Sequence, residues 1–425
     1  MNKNAIILAA GKSSRFAPFT YEKPKGLFRV KGEILIERQI EQLKEAGVDR
    51  IVVVVGYMKE KFFYLEQKYS PCVELVVNNE FGKKGNLYSI YMAREFLANT
   101  FICCADHYFT SNLFTYSNLE NRSWRACKYE TGKFREFAVT VSDAGVITET
   151  SIGGSDSLAQ VGCAYVNESF STRFRTFMED EINDFGVASM FWEEFYKRHI
   201  RDLTFYCRMF SDDEIFEFDN IDDLRAFDSE FLLNVDSEII ANITNTLHCG
   251  PNDISSIAVI NAGLTNVSFG FDVNGTRYVY RHPGGTAGNL IDRHAEQFAQ
   301  FTARDIGIDK SVIDMTLDGW KISYYVKDAK NCDFEANDSQ LIRGMEMLHQ
   351  LHEVTVPDDA GIKIFDDVAE GKKLMEIASA TKGHLAKEFK PLIDKIDELY
   401  PAIKKDAARL GYGLVLCHND TYEPN

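Results

Sequence analysis

Through the first half of the chain, short unbroken apolar runs alternate with longer stretches whose apolar positions recur every three or four residues. Ile6-Ile7-Leu8-Ala9-Ala10, Ile51-Val52-Val53-Val54-Val55, Val73-Glu74-Leu75-Val76-Val77 and Phe101-Ile102-Cys103-Cys104 have strand length. Between them, Ile34 to Ala46, Lys59 to Lys68 and Leu87 to Leu97 have helical spacing, and Gly47 closes the first. A run that is apolar on both faces suits a strand buried between two helix layers. Strand and helix in turn predict an α/β fold, a doubly wound, mostly parallel, Rossmann-like sheet whose ligands gather at the carboxyl ends of the strands.

From Ser123 to about Val166 the period shortens to that of antiparallel strands, with turns expected at Thr131-Gly132, Asp143-Ala144-Gly145 and Gly153-Gly154. Helices are expected around Phe177-Met178 and over Met190 to Tyr196, then a strand over Ile215 to Phe218 and a helix over Ile221 to Phe227. The alternation stops between Asp228 and Asp236, which divides the chain into domains at 1–230 and 236–425. The second begins with a helix near Ser237 to Leu247 and strands at Ile257 to Ile260, Val267 to Asp272 and Arg277 to Arg281. A helix around Asp292 to Ala303 and a strand pair between Val312 and Tyr325 follow, and the rest is mainly helical. No internal repeat relates the halves.

Composition narrows the partners more than the fold. A chain of 425 residues exceeds one ordinary core. A formal charge of −17 excludes an overall electrostatic grip on nucleic acid or an anionic membrane, and leaves a small molecule in a local basic pocket. The nine cysteines show neither Cys-x-x-Cys nor zinc-type spacing, so reduced thiols and a cytoplasmic location are expected. No apolar run reaches membrane-spanning length.

The candidate chemistry begins where the first strand ends. Leu8, Ala10, Gly11, Lys12, Ser13 and Ser14 make a small-residue turn, followed by the basic groups Arg15 and, after Pro24, Lys25. Small side chains let backbone N–H groups approach an anion, and the two cations supply countercharge for a triphosphate. Two aspartates, Asp106 and Asp219, each fall just past a predicted strand. Converging there they can hold Mg²⁺ against a nucleotide; separately, each can simply cap the next turn. Asn78, Asn79 and Asn86 carry amides suited to a base edge or, equally, to turns and caps.

Leu8-Ala9-Ala10-Gly11-Lys12-Ser13-Ser14-Arg15 with Pro24-Lys25-Gly26-Leu27 resembles the signature of nucleotidyltransferases that join NTPs to phosphorylated sugars or alcohols. Ser13 stands where a second glycine is usual, so any left-handed conformation there carries strain. Asn86-Leu87-Tyr88-Ser89-Ile90-Tyr91, Ala105-Asp106-His107-Tyr108-Phe109 and Glu217-Phe218-Asp219 resemble the bacterial phosphocholine cytidylyltransferases from about residue 3 to 228. The resemblance implies that Asp106 and Asp219 hold Mg²⁺, that Lys25 contacts phosphate and that Ala10 to Arg15 wrap CTP. It also implies attack of a phosphoryl oxygen on the α-phosphate with loss of diphosphate. Such a reaction needs positioning and charge neutralisation more than a proton shuttle.

An acceptor with a quaternary ammonium needs aromatic faces and a carboxylate, and Phe137, Ser189, Phe191 and Trp192 are the candidate wall. The family pattern leads one to expect Trp near Phe137 and Asp near Ser189. Their replacement keeps phosphoethanolamine and 2-aminoethylphosphonate open as acceptors beside phosphocholine, with a sugar 1-phosphate and a non-catalytic nucleotide sensor as further alternatives.

In the second half, Asn261-Ala262-Gly263-Leu264-Thr265-Asn266, Arg281, Glu296 and the string His418-Asn419-Asp420 with Asn425 resemble choline kinase and its aminoglycoside-phosphotransferase-like relatives. That resemblance implies a partial protein-kinase-like α+β domain with ATP and choline as ligands. The sequence ends at Asn425, before the family's metal-binding aspartate, so this half is expected to be inactive as given.

Overall fold

The computed structural model describes residues 3–115, 122–260, 266–283, 292–330, 332–333, 337–358, 360–362, 364–381 and 384–417. These form two compact units, Met1–Ile257 and Ala258–Asn425.

The first unit is built on β1 (Lys3–Ala9). After it come the short pair β2 (Arg29–Val30) and β3 (Glu33–Ile34), α1 (Leu35–Glu45), β4 (Val48–Val55), α2 (Tyr64–Lys68), β5 (Val73–Val77), α3 (Asn86–Met92) and β6 (Thr100–Cys104). Then follow β7 (His107–Phe109), the long strands β8 (Trp124–Val141) and β9 (Ile147–Val166), α4 (Glu168–Glu181), α5 (Phe185–Ala188) and α6 (Trp192–Arg198). β10 (Tyr206–Met209), β11 (Ile215–Glu217), α7 (Ile221–Phe227), α8 (Phe231–Asn234) and α9 (Glu238–Leu247) complete it.

Seven strands form one sheet in the order β10-β8-β9-β6-β1-β4-β5. β1 runs parallel to both neighbours, with Ile6 opposite Val52 on one side and Ile102 on the other. The unbroken apolar runs follow from this placement. Ala5, Ile7, Val53 and Val55 face one buried layer with Ile36, Ile40 and Leu43 of α1. Ile6, Leu8, Val52 and Val54 face the other, with Leu87, Phe174 and Trp192. The chain order reverses at β1, and a ligand crevice of a doubly wound sheet opens at such a point.

Thr131-Gly132 and Gly153-Gly154 are not chain reversals. β8 and β9 run through them, joined only at Asp143–Gly145, and the ladder shifts register there. Gly132 (φ +73°) and Gly153 (φ +72°) let the ribbon bend without ending, so Ala138 pairs with both Ser151 and Ala159. Short strands were the wrong reading of glycines that mark bulges.

The second unit contains a five-stranded sheet of β12 (Ile254–Ile260), β13 (Asn266–Val273), β14 (Thr276–Pro283), β16 (Lys321–Tyr324) and β15 (Val312–Met315), in that spatial order. α10 (Arg293–Asp305) lies in sequence between β14 and β15. Helices α11 (Asp338–His352), α12 (Asp367–Thr381) and α13 (His384–Arg409) follow. Among the described residues, no helix is long and apolar enough to cross a membrane.

Candidate active site

The turn after β1 begins where the sheet's order reverses. Ser13 sits at φ 48°, ψ 44°, so the serine does adopt the left-handed conformation that glycine would enter freely. Its carbonyl then accepts from Phe16 N–H at 2.9 Å, turning the chain so that Arg15 leaves the loop on the side of Asp219. Arg15 Nη1 lies 2.6 Å from Asp219 Oδ1, and both side chains are more than half exposed.

Asp106 lies two residues past the end of β6, and β7 pairs antiparallel with β11 in a separate two-stranded sheet, His107 opposite Glu217. That pairing brings residue 106 beside 218 although they are far apart in sequence. Lys25 closes the gap. Its side chain is only 4% exposed, and Nζ donates to Asp106 Oδ2 at 3.1 Å and to the Phe218 carbonyl at 2.6 Å, 4.3 Å from the centre of the Phe16 ring. Burial works against the Asp106 charge, but Lys25 and then His107 outweigh it and hold the carboxyl at about 2. Two ion pairs, Asp106–Lys25 and Asp219–Arg15, thus flank this end of the sheet, and Lys25 links the first to the backbone of Phe218, next to Asp219.

Beneath it, His107 Nε2 lies 3.2 Å from Glu217 Oε2 and its Nδ1 3.3 Å from the Cys104 carbonyl oxygen, both of them acceptors. Burial opposes its charge, yet Glu217 raises its pKa above the ordinary histidine value. The Cys104 sulfur, an Asp106 oxygen and a His107 nitrogen all lie within 4.8 Å of one another. Burial, followed by the charges of Asp106, Glu193 and Glu217, pushes the Cys104 thiol well up.

The structure gives several predicted residues other partners. Asn86 starts α3, and its Oδ1 accepts from Trp192 N–H at 2.7 Å, so this amide anchors α6 instead of standing open to a base. Asn79 Oδ1 accepts from Lys59 Nζ at 2.9 Å on the surface, and Asn78 is buried against Ser89. Lys12 lies 6.0 Å over the Phe81 ring. Leu8 and Ala10 are buried at the strand end, where the Ala10 carbonyl accepts from Tyr57 N–H.

Of the acceptor candidates, Phe137 is half-buried on β8, Phe191 is exposed before α6, and Ser189 is exposed with its hydroxyl on the Phe185 carbonyl. Trp192 is core. It is 2% exposed, meets Phe174 and Phe205 edge-on, and carries the Arg125 guanidinium 4.6 Å over its ring. A face already covered by a cation has no room for a second. The stripe Trp192, Phe195, Tyr196 at helical spacing was the available signal.

Sequence reasoning missed the Arg125–Glu193 pair. Its 3.0 Å contact is nearly buried and joins residues 68 positions apart. Burial raises the Glu193 pKa despite Arg125. It also missed Gly85, whose N–H donates to the Ala188 carbonyl at 3.0 Å. A Cβ at Gly85 would stand 2.0 Å from the Met190 carbonyl oxygen. Residues 85–87 and 188–193 are thus stitched into one wall.

In the second unit, Arg281 and Glu296 pair at 2.7 Å, and Arg293 adds a second bond to Glu296 at 2.6 Å. His418, Asp420 and Asn425, with Asn261 to Thr265, lie outside the described residues.

Residues 5–123 match the MobA-like NTP transferase domain family. The 2-aminoethylphosphonate cytidylyltransferase of Lancefieldella rimae is 38% identical over 234 residues, which are 54% of this chain and 93% of that one. The choline-phosphate cytidylyltransferase of Streptococcus pneumoniae is 32% identical over 54% of this chain and 98% of its own. The solved CTP:phosphocholine cytidylyltransferase from Streptococcus pneumoniae superposes with a TM-score of 0.50 at 31% identity, over 54% of this chain and 99% of that one. Through its N-terminal nucleotidyltransferase domain, this chain belongs to the cytidylyltransferase family.

Proposed function

We propose that the first unit transfers CMP from CTP to phosphocholine or a closely related phosphorylated amine, with release of diphosphate, and that Mg²⁺ is the divalent ion it uses. The observation that carries this reading is the buried Lys25 ammonium joining Asp106 to the strand end that bears Asp219. Asp106 and Asp219 each commit one carboxylate oxygen to a cation. Hard oxygen donors of this kind fit Mg²⁺, whereas the neighbouring Cys104 thiol does not. When bound, the ion neutralises phosphate charge.

The chain's own residues do the rest. Arg15 and Lys25 oppose charge that builds on the α-phosphate and on the departing diphosphate, the Ala10 to Ser14 turn offers backbone N–H groups, and the 85–193 wall orients the acceptor. In-line displacement then needs only that the acceptor's phosphoryl oxygen face the bond to be broken.

Diphosphate release from CTP and Mg²⁺ with phosphocholine, phosphoethanolamine, 2-aminoethylphosphonate or glucose 1-phosphate tests the reading. Turnover is expected with at least one amine and not with the sugar. Silence with every amine contradicts it. A second reading, 2-aminoethylphosphonate as the preferred acceptor, is favoured by Ser189 and by Trp192 being occupied by Arg125, since neither leaves a cage for a trimethylammonium group. The relative rates in the same panel decide between them.

Gly85→Ala probes the wall. The added methyl forces the 188–190 backbone to move, an overpacking that costs about 1–3 kcal/mol. The expected result is a lower melting temperature together with a larger rise in KM for the acceptor than for CTP, measured by two-substrate kinetics.

The second unit is read as a choline-kinase-like lobe with ATP and choline as ligands. Its support is the helix inserted between β14 and β15 and the Arg281–Glu296 pair that ties that helix to the sheet.

A further inference from the structure

The segment from Ser14 to Leu27 links the two cations of the site, and its only regular structure is three short 3-10 turns. Such turns hold themselves weakly, so their position must be fixed from outside. Tyr57 reaches the Thr20 carbonyl from one side at 2.8 Å. On the other side, two adjacent residues reach the junction of α8 and α9. Lys23 Nζ donates to the carbonyls of Val235 at 2.8 Å and Asp236 at 2.7 Å, where α8 ends. The Glu22 carboxylate accepts the Ile239 N–H at 2.9 Å, in the first turn of α9.

Each charge meets the helix end of opposite polarity, the ammonium on free carbonyls and the carboxylate on free N–H groups. Phe19 packs edge-on against Phe231 of α8 at 5.4 Å, and Lys31 N–H donates to Asp228 at 2.6 Å, which extends the attachment on both flanks.

We propose that Glu22 and Lys23 are positioning residues for the transfer reaction. Through them the α8–α9 junction sets the height of Lys25 over Asp106. The segment Asp228 to Asp236, placed by the sequence pattern at a boundary, is with the start of α9 on this view a working part of the transferase. The inference rests on the transferase reading above, because only that reading gives Lys25 a rate to control. Lys25 is two residues from Lys23, and a displacement of about 1 Å at a reacting group can lower a rate as much as about 10²-fold.

The test uses the full chain with Lys23→Met, Glu22→Leu and Glu22→Gln, the last retaining an oxygen for Ile239 N–H. Three quantities are read: kcat and KM for diphosphate release, the melting temperature, and amide hydrogen exchange over residues 16–28. Lys23→Met and Glu22→Leu are expected to lower kcat about 10-fold to 10²-fold, with KM for the acceptor unchanged. Exchange in that segment should quicken about tenfold while the melting transition stays cooperative. Glu22→Gln should restore most of the rate. Wild-type kcat and exchange in both disruptive variants overturn the proposal, as does a loss of rate that merely follows a loss of folded protein. Wild-type silence in the assay retires the transferase reading instead, and exchange still reports whether the latch holds the loop.

Discussion

Asp219→Asn is expected to lower diphosphate release about 10²–10³-fold and to leave the melting temperature almost unchanged. The two halves of this expectation have different origins. Asp219 and its partner Arg15 are 54% and 69% exposed, and ion pairs this open to water contribute little, about 0–1 kcal/mol. Folding should scarcely register the lost charge. The reaction should, because on the proposed reading this carboxylate would help hold a divalent ion and keep Arg15 in place, where charge moves. Asparagine keeps the size of the side chain and its hydrogen-bonding capacity, so the change isolates the charge. Steady-state kinetics beside thermal melting check both halves. A variant that melts early without losing rate would make Asp219 an ordinary helix-start residue.

Lys25→Met is expected to damage both properties. The ammonium is almost fully buried between Asp106 and the Phe218 carbonyl, and removing one partner of a buried pair leaves the other charge uncompensated. Asp106 keeps 30% of its side chain in contact with water, which places the cost near the low end of the usual range, about 3 kcal/mol. The sign of the pH effect follows from the carboxyl being held at about 2, below its ordinary value. A depressed acid stabilises the fold above its unfolded pKa, and that stabilisation is lost as pH falls through the folded value. The variant should therefore be less stable than wild type at neutral pH, and the gap between them should narrow under acid conditions. The rate should fall by about 10²–10³-fold as well, since no cation of equal reach replaces Lys25. Melting curves across a pH series, with kinetics at neutral pH, measure all three.

The first unit's central strands were legible because burial on both faces leaves a signature that needs no partner to be read: Ile51 to Val55 and Ile6 to Ala10 are apolar at every position. Asp106 and Asp219 were legible as strand-end acids for the same reason. What sets residue 106 beside residue 218 was not. It depends on β7 pairing with β11 across more than a hundred residues, and on a lysine whose buried role nothing in its sequence neighbourhood announces. Asn86 and Trp192 were harder to place. Each belongs to a residue class that serves equally well as ligand or as scaffold, and the choice is settled by a partner on another element, Trp192 N–H in one case and Arg125 in the other. Trp192 could have been placed from the phase of its own helix, whereas Asn86 could not. Glycine misled where it marked a bulge: Gly132 and Gly153 bend the β8–β9 ribbon at points where a turn residue would have ended it.

Transfer of CMP as proposed requires Asp106 and Asp219 jointly to hold a divalent ion beside CTP. Crystals grown with CTP and Mn²⁺ address this through the anomalous signal of the metal. The predicted result is one peak at a metal–oxygen distance of about 2.1 Å from a carboxylate oxygen of each aspartate and from a phosphate oxygen. A peak on the triphosphate alone, with either aspartate still bound only to its lysine or arginine, would contradict it.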